Sequence, residues 1–179
     1  MSWLARLLTS LLRAWIVHLA EGVRDRDRVA GDTYSSRREF DTIRRLHLLN
    51  DATVIVHGTA LEPSDFAAMR HAGPAGPRAR NDGLGAKLVW SPLSNLLLYG
   101  HTTNVYDALA KGVTVSLSTD WTVSGSNNLL DELKVADIAL RASSAGPGTR
   151  SRRWRATAHL IESSSTWLRA IPPGRCAGP

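Results

Sequence analysis

The chain has 179 residues, of which 43% are hydrophobic and 21% charged, and its formal net charge is +6 at pH 7. This length suits one domain with a substantial core, and the normal apolar content excludes a compositionally disordered chain. Cys176 is the only cysteine, which excludes a disulfide-stabilised miniprotein. The longest segment without a charged residue, 88–106, is rich in Ser, Asn and Thr, so we predict no transmembrane span.

The first residues predict an amphipathic helix. Apolar side chains recur at spacings of three and four over residues 3–13, and we assign an N-terminal helical segment to residues 1–13. A secretory signal peptide is the alternative, but Arg13 interrupts the apolar run and no convincing small-residue cleavage site follows. We therefore expect a cytoplasmic protein.

Residues 14–141 alternate between short β-rich runs and helical patterns. Strands that are apolar throughout and alternate with helices are typical of a parallel sheet covered by helices, so the predicted fold class is α/β. A long loop rich in Gly, Pro and Arg is predicted over residues 72–86. The predicted strands cover 14–18, 53–57, 87–91 and 113–120, and the predicted helices cover 35–49, 63–70, 103–111 and 128–141.

The excess positive charge is concentrated near the C-terminus. Residues 1–141 contain 16 basic and 15 acidic side chains, whereas residues 142–179 contain six arginines and one acid, Glu162. A basic tail can bind nucleic acid or an acidic membrane, but this one carries no nucleic-acid-binding motif. We therefore predict a disordered basic tail over 142–179 and expect neither nucleic acid nor a membrane as partner. The alternative is a non-catalytic α/β module that binds nucleic acid or an acidic surface through this Arg-rich tail.

Each predicted strand ends in a polar residue: His18, His57, Ser91 and Asp120, in that order. In parallel α/β folds the C-terminal ends of the strands face the ligand. A histidine at a strand end is often simply hydrogen-bonded, and an aspartate there is often a helix N-cap. Two imidazoles and a carboxylate at equivalent positions nevertheless favour a site for zinc or iron.

Of the other histidines, we place His47 and His71 on helix surfaces and His159 in the tail, and His101 could reach the same edge.

Four motifs in a fixed order resemble a known family. They are VHLAEG (17–22), VIVHGTAL (54–61), KLVWSPLSNLLLYG (87–100) and GVTVSLSTDWTVSGSNNLLDELKVA (112–136). They are similar to barrel strands five to eight of the amidohydrolase superfamily, in its cytosine-deaminase-like and chlorohydrolase-like branch. The resemblance implies a partial TIM-type (β/α) barrel of about four βα units over residues 14–141.

The resemblance also implies roles for individual residues. His18 and Asp120 would be metal ligands, and Asp120 would also take a proton from the attacking water. Glu21 would carry a proton to the leaving nitrogen, although a surface position in a charged run is its alternative interpretation. His57 would contact the substrate or bind the metal.

Further residues would shape the substrate pocket. Ser91, Ser94 and Asn95 lie in an SPxSN-like turn at the pocket rim, for which a purely structural role is the alternative. Trp121 directly follows Asp120 and would form an aromatic wall of the pocket or belong to the core.

The chain also departs from the family. It contains no His-x-His pair, which the family carries on its first strand, and nothing in it corresponds to strands one to four. The resemblance as a whole implies a metal-dependent hydrolase or deaminase that uses zinc or iron and acts on non-peptide carbon–nitrogen bonds of small heterocyclic amines or amides. We expect this fragment to have impaired activity alone and to need a missing N-terminal half or an oligomeric partner. A structural subunit that pairs with another half-barrel without chemistry of its own is a further possibility.

Overall fold

The computed structural model describes residues 14–32, 34–74 and 84–143. The predicted N-terminal helix over 1–13 lies outside these residues, as do the predicted tail beyond Ser143 and the middle of the predicted loop over 72–86. No helix in the described ranges is long and apolar enough to cross a membrane.

The described sheet has four parallel strands in sequential order, β1-β2-β3-β4. The register places His18 beside Val56 and Val56 beside Val89, so residues on one face of the sheet stay aligned across neighbouring strands. The predicted α/β class with a parallel sheet is confirmed. The strands are β1 (Trp15–Leu19), β2 (Thr53–His57), β3 (Lys87–Trp90) and β4 (Val115–Leu117).

Helices follow every strand, and a short 3₁₀ turn, Asp25–Asp27, lies between the first strand and its helix. Pro63 and Pro92 each stand at the start of a helix, where the fixed proline φ is already helical and the missing N–H costs nothing. The α-helices of the described residues are α1 (Arg37–Arg45), α2 (Pro63–Arg70), α3 (Pro92–Tyr99), α4 (Val105–Ala110) and α5 (Leu129–Ser143).

One face of the sheet packs against the helices. Side chains alternate between the two faces along a strand, and the helix-facing side chains are buried or, at Trp15 and Val17, half-buried. Ile16 and His18 belong to the opposite face, and Ile16 is 60% exposed. The buried core contains Leu19, Ile55, Leu88, Trp90 and Val115 from the strands and Phe40, Phe66, Met69, Val105 and Leu140 from the helices.

The ends of several elements differ from the sequence prediction. Helix α1 stops at Arg45 rather than at residue 49, because His47 adopts a left-handed φ of 56° that a continuing helix does not allow. Strand β1 begins at Trp15 and extends one residue past His18. Strand β4 ends at Leu117, so Asp120 lies in the loop after the strand rather than at its last position. Helix α5 continues to Ser143, two residues beyond its predicted end.

The SPLSN segment is a helix rather than a turn. Ser91 is the N-cap residue of α3, and Ser94 and Asn95 lie inside the helix with both side chains buried. The turn that the resemblance implied for this segment was wrong, because Pro92 starts a helix that ends at the left-handed Gly100. Asn95 therefore projects from a regular element with a fixed direction.

Candidate metal centre

Three side chains with metal-ligating atoms meet at the C-terminal edge of the sheet. His18 comes from β1, His57 from the last position of β2 and Asp120 from the loop after β4. One ligand atom from each lies within 4.8 Å of the others, and the two imidazole centroids are 5.2 Å apart. The nearest pair of polar atoms between His57 and Asp120 is Nε2 and Oδ2, at 3.9 Å. We call these three residues the His18 cluster.

The donor set of the His18 cluster fits a divalent cation. Catalytic zinc sites use three protein ligands, commonly imidazole nitrogens and carboxylate oxygens, and leave a position open for water or substrate. Ligand atoms around a tetrahedral zinc ion lie about 3.4 Å apart, given bonds of about 2.0–2.1 Å. Modest side-chain rotations would therefore bring the three groups onto one ion. His18 is exposed and His57 is buried, so the cluster opens toward solvent on the side of β1.

Two of the three residues adopt an uncommon backbone conformation. The φ angles of His57 and Asp120 are 70° and 59°, in the left-handed region that non-glycine residues rarely occupy. Each such residue costs on the order of 1–3 kcal/mol and persists only where its surroundings hold it, which happens most often at functional sites. The left-handed φ turns the chain away from the extended conformation at His57, the last residue of β2, and at Asp120, three residues beyond the end of β4.

Glycine is required beside both turns. A Cβ at Gly125 would lie 1.7 Å from the backbone oxygen of Thr119, so only glycine allows the loop carrying Asp120 to fold back on itself. Gly58 follows His57 with a φ of 60°, and a Cβ there would meet the side chain of Leu61 at 2.9 Å. The two loops that present His57 and Asp120 are therefore tightly packed.

His57 is held by a buried amide on its far side. Its Nδ1 lies 2.9 Å from Oδ1 of Asn95, and the side chains of both residues are almost completely buried. The Asn95 Nδ2 group donates to the hydroxyls of Thr102 and Thr103, at 3.2 and 3.4 Å. Trp90 Nε1 donates to the same Thr102 hydroxyl at 2.6 Å. The remaining ring nitrogen of His57, Nε2, faces the cluster.

Glu21 lies next to the His18 cluster rather than in a surface charge run. Its Oε1 atom is 3.5 Å from Nε2 of His57 and accepts a hydrogen bond from the Tyr99 hydroxyl at 2.9 Å. Burial and the hydrogen bond to Glu21 raise the pKa of Tyr99 to about 12, so its hydroxyl stays a donor throughout the neutral range. Tyr99 thus holds one carboxylate oxygen of Glu21 in place.

Glu132 of α5 connects the elements that carry the site. Its buried carboxylate accepts from the backbone N–H of Leu93, in the first turn of α3, at 2.9 Å, and from the hydroxyl of Ser126 in the loop after β4. One side chain therefore ties the helix of Asn95 to the loop of Asp120.

The remaining predicted site residues are more loosely associated with this cluster. Ser91 follows β3 at the same edge of the sheet, and its buried Oγ has no hydrogen-bond partner among the described residues. Trp121 is 69% exposed and is not a core residue. His101 is not one of the three clustered ligands, and burial and the nearby Arg24 lower its pKa. His47 and His71 are both exposed.

Tyr99 and Thr102 contact the site, and sequence reasoning missed both. Tyr99 bonds to a residue 78 positions away along the chain. Its only sequence signal is a hydroxyl-bearing side chain directly after three leucines, residues 96–98. Thr102 sits in a short connection between α3 and α4 and carries no motif.

Solved structures with this fold are known. An adenosine deaminase from Xanthomonas campestris with bound zinc matches with a TM-score of 0.60 and 21% identity, covering 88% of this chain and 35% of that one. Atrazine chlorohydrolase from Arthrobacter aurescens TC1, complexed with zinc, has a TM-score of 0.60 and 15% identity, with coverages of 89% and 34%. Guanine deaminase from Bradyrhizobium japonicum has a TM-score of 0.54 and 19% identity, with coverages of 87% and 35%.

No protein-family model and no curated protein matches the chain significantly. The chain spans about a third of the length of these solved structures. It therefore has the fold of part of the TIM-type (β/α) barrel of these deaminase and hydrolase structures, as the resemblance implied.

Proposed function

We propose that the chain forms part of a metal-dependent hydrolase or deaminase of the amidohydrolase type, acting on non-peptide carbon–nitrogen bonds of small heterocyclic amines or amides. The observation that carries the proposal is the approach of three ligand atoms, from His18, His57 and Asp120, to within 4.8 Å of one another. These residues would hold a divalent cation, zinc or iron, and the zinc in two of the similar structures favours zinc. When bound, such a cation supplies Lewis acidity that activates water and polarises the bond to be cleaved.

The chain's own residues would position groups and move protons. An oxygen of Asp120 that does not hold the cation can accept a proton from the attacking water, since the carboxylate lies at the cluster. The carboxylate of Glu21 can take the second proton of that water and pass it to the leaving nitrogen, because it lies 3.5 Å from His57 Nε2 and is oriented by Tyr99. The substrate would lie between these two carboxylates, near Ser91 and the exposed Trp121.

We further propose that this fragment has impaired activity alone. The described sheet has four strands, whereas a TIM-type barrel closes with eight, and the sequence contains no His-x-His pair. Walls of the pocket and further ligands would then come from an N-terminal half or from another subunit.

Metal analysis and activity measurements test this function together. Purified chain should retain about one equivalent of zinc or iron, and His18→Ala and Asp120→Ala should each abolish it, whereas the exposed His71→Ala should not. Ammonia release from a panel of heterocyclic amines is measured for the chain alone and with the N-terminal half of a related barrel supplied as a second polypeptide. The proposal fails if the two ligand substitutions change neither the metal content nor the complemented activity.

A further inference from the structure

We infer that Asn95 is a positioning residue that fixes His57 in the neutral tautomer with its proton on Nδ1, which leaves Nε2 as the electron-pair donor facing the His18 cluster. The use of that donor for a cation rests on the proposed function, but the tautomer itself does not. The inference follows from the donors and acceptors that surround one buried amide.

The direction of the Asn95 amide is set by the Thr103 hydroxyl. The Thr103 hydroxyl donates its only proton to the backbone oxygen of His57, so toward Asn95 it can act only as an acceptor. The Asn95 Nδ2 group supplies the matching N–H to Thr103 and a second N–H to Thr102. The reversed amide would place Oδ1 against the Thr103 oxygen with no proton between them, which is unfavourable in a buried site.

The fixed amide then determines the state of the ring. With Nδ2 committed to the threonines, Oδ1 of Asn95 is the atom that lies 2.9 Å from His57 Nδ1. A carbonyl oxygen only accepts, so a neutral His57 must carry its proton on Nδ1. His57 is 1% exposed, so competition from bulk water at this nitrogen is small.

The other ring nitrogen of His57, Nε2, has more distant acceptors for an N–H proton. Glu21 Oε1 and Asp120 Oδ2 lie 3.5 and 3.9 Å from Nε2, both farther than the 2.9 Å between Nδ1 and Oδ1 of Asn95. The short contact is therefore at Nδ1, and the lone pair of Nε2 points among two carboxylates and His18. Imidazoles that ligate a metal almost always donate their second N–H to an oxygen acceptor in this way.

Nitrogen-15 NMR of the full metal-free chain reads the tautomer directly. Long-range proton–nitrogen spectra are recorded at about pH 8.5, where ordinary imidazoles are neutral, and His57 is assigned by the signal lost in His57→Gln. We expect His57 in the Nδ1–H form and the exposed His47 and His71 mainly in the Nε2–H form that free imidazoles prefer. Finding His57 of the unmodified chain in the Nε2–H form would overturn the inference, whatever happens to any variant.

Substitutions of Asn95 test the cause. Asn95→Leu removes the acceptor and should move the His57 proton to Nε2, whereas Asn95→Asp keeps an acceptor and should keep the Nδ1–H form. Leu97→Ala, on the exposed side of the same helix, serves as the control and should change nothing. If a folded Asn95→Leu chain retains the Nδ1–H form, Asn95 is not the residue that sets it.

Zinc titration separates this inference from the proposed function. Zinc added to the unmodified chain should shift the Nε2 resonance of His57, and Asn95→Leu should weaken zinc binding by about 10- to 100-fold, the usual effect of losing such a partner. An Nδ1–H tautomer with an Nε2 resonance that zinc leaves unchanged would uphold the role of Asn95 and contradict the metal site. An Nε2–H tautomer in a chain that still binds zinc would contradict the role of Asn95 and uphold the metal site.

Discussion

The contact between Tyr99 and Glu21 makes the stability of the folded chain depend on pH in the alkaline range. The raised pKa of Tyr99, about 12 against an ordinary value of 10, reflects burial first and the hydrogen bond to Glu21 second. Because the folded state favours the neutral phenol, this contribution to stability is complete below pH 10 and is lost as the pH rises through about 12.

An alkaline titration of phenolate absorbance tests this value. Subtracting the absorbance of Tyr99→Phe from that of the unmodified chain leaves the signal of the Tyr99 phenol, whose pKa should be about 12. Circular dichroism recorded in parallel verifies that the fold persists over the titrated range. A difference that titrates near the ordinary value of 10 would show that Tyr99 is neither buried nor bonded to Glu21.

The sequence located some of these residues and could not locate others. His18 and His57 could be placed at one edge because parallel strands bring their C-terminal ends together. The distance between Glu21 and Tyr99 depends on how α3 packs against the loop after β1, and no spacing along the chain encodes that. The tautomer of His57 likewise depends on three hydroxyl and amide groups whose directions appear only in three dimensions.

Between the first two helices, an ion pair links α1 to α2. Arg37 donates from Nε and Nη2 to the two carboxylate oxygens of Asp65, both at 2.7 Å, and Asp65 is 0% exposed. The same carboxylate accepts from the backbone N–H of Glu62 and caps the start of α2. Removing the guanidinium would leave a buried carboxylate without its main partner.

Arg37→Met should therefore lower the free energy of unfolding by about 3 kcal/mol, the lower end of the cost of breaking a buried pair, since Arg37 itself is partly exposed. The control is Arg141→Met, which disrupts an exposed pair with Asp137 on α5 and should cost less than about 1 kcal/mol. Chemical denaturation measures both. Equal losses in the two variants would show that the Arg37 pair is no more than a surface contact.

Elements were predictable where the pattern was periodic. The alternation of β-rich runs and helices gave four strands in the right order, and α5 followed from its long apolar spacing. Helix α3 was missed because the resemblance assigned its SPLSN segment to a turn, and the burial of Ser94 and Asn95 cannot be seen from residue type. The early end of α1 depends on the left-handed His47, a conformation that its sequence does not require.

At the scale of the whole molecule, the sheet brings residues from three separate βα units to one edge. His18 and Asp120 are 102 positions apart in the chain, yet their ligand atoms lie within 4.8 Å. Parallel pairing directs all four strands toward this edge. In the order β1-β2-β3-β4 the outer strands would lie about 14 Å apart in a flat sheet, so the approach of His18 and Asp120 also requires a curved sheet and the loop that carries Asp120. We therefore expect His18, His57 and Asp120 to bind one cation together.

Anomalous diffraction from crystals of the chain grown with zinc would locate this cation. We expect a single strong peak at the zinc absorption edge, within about 2.0–2.2 Å of an imidazole nitrogen of His18, Nε2 of His57 and a carboxylate oxygen of Asp120. A zinc peak bound elsewhere, or an ion that touches only one of the three residues, would contradict it.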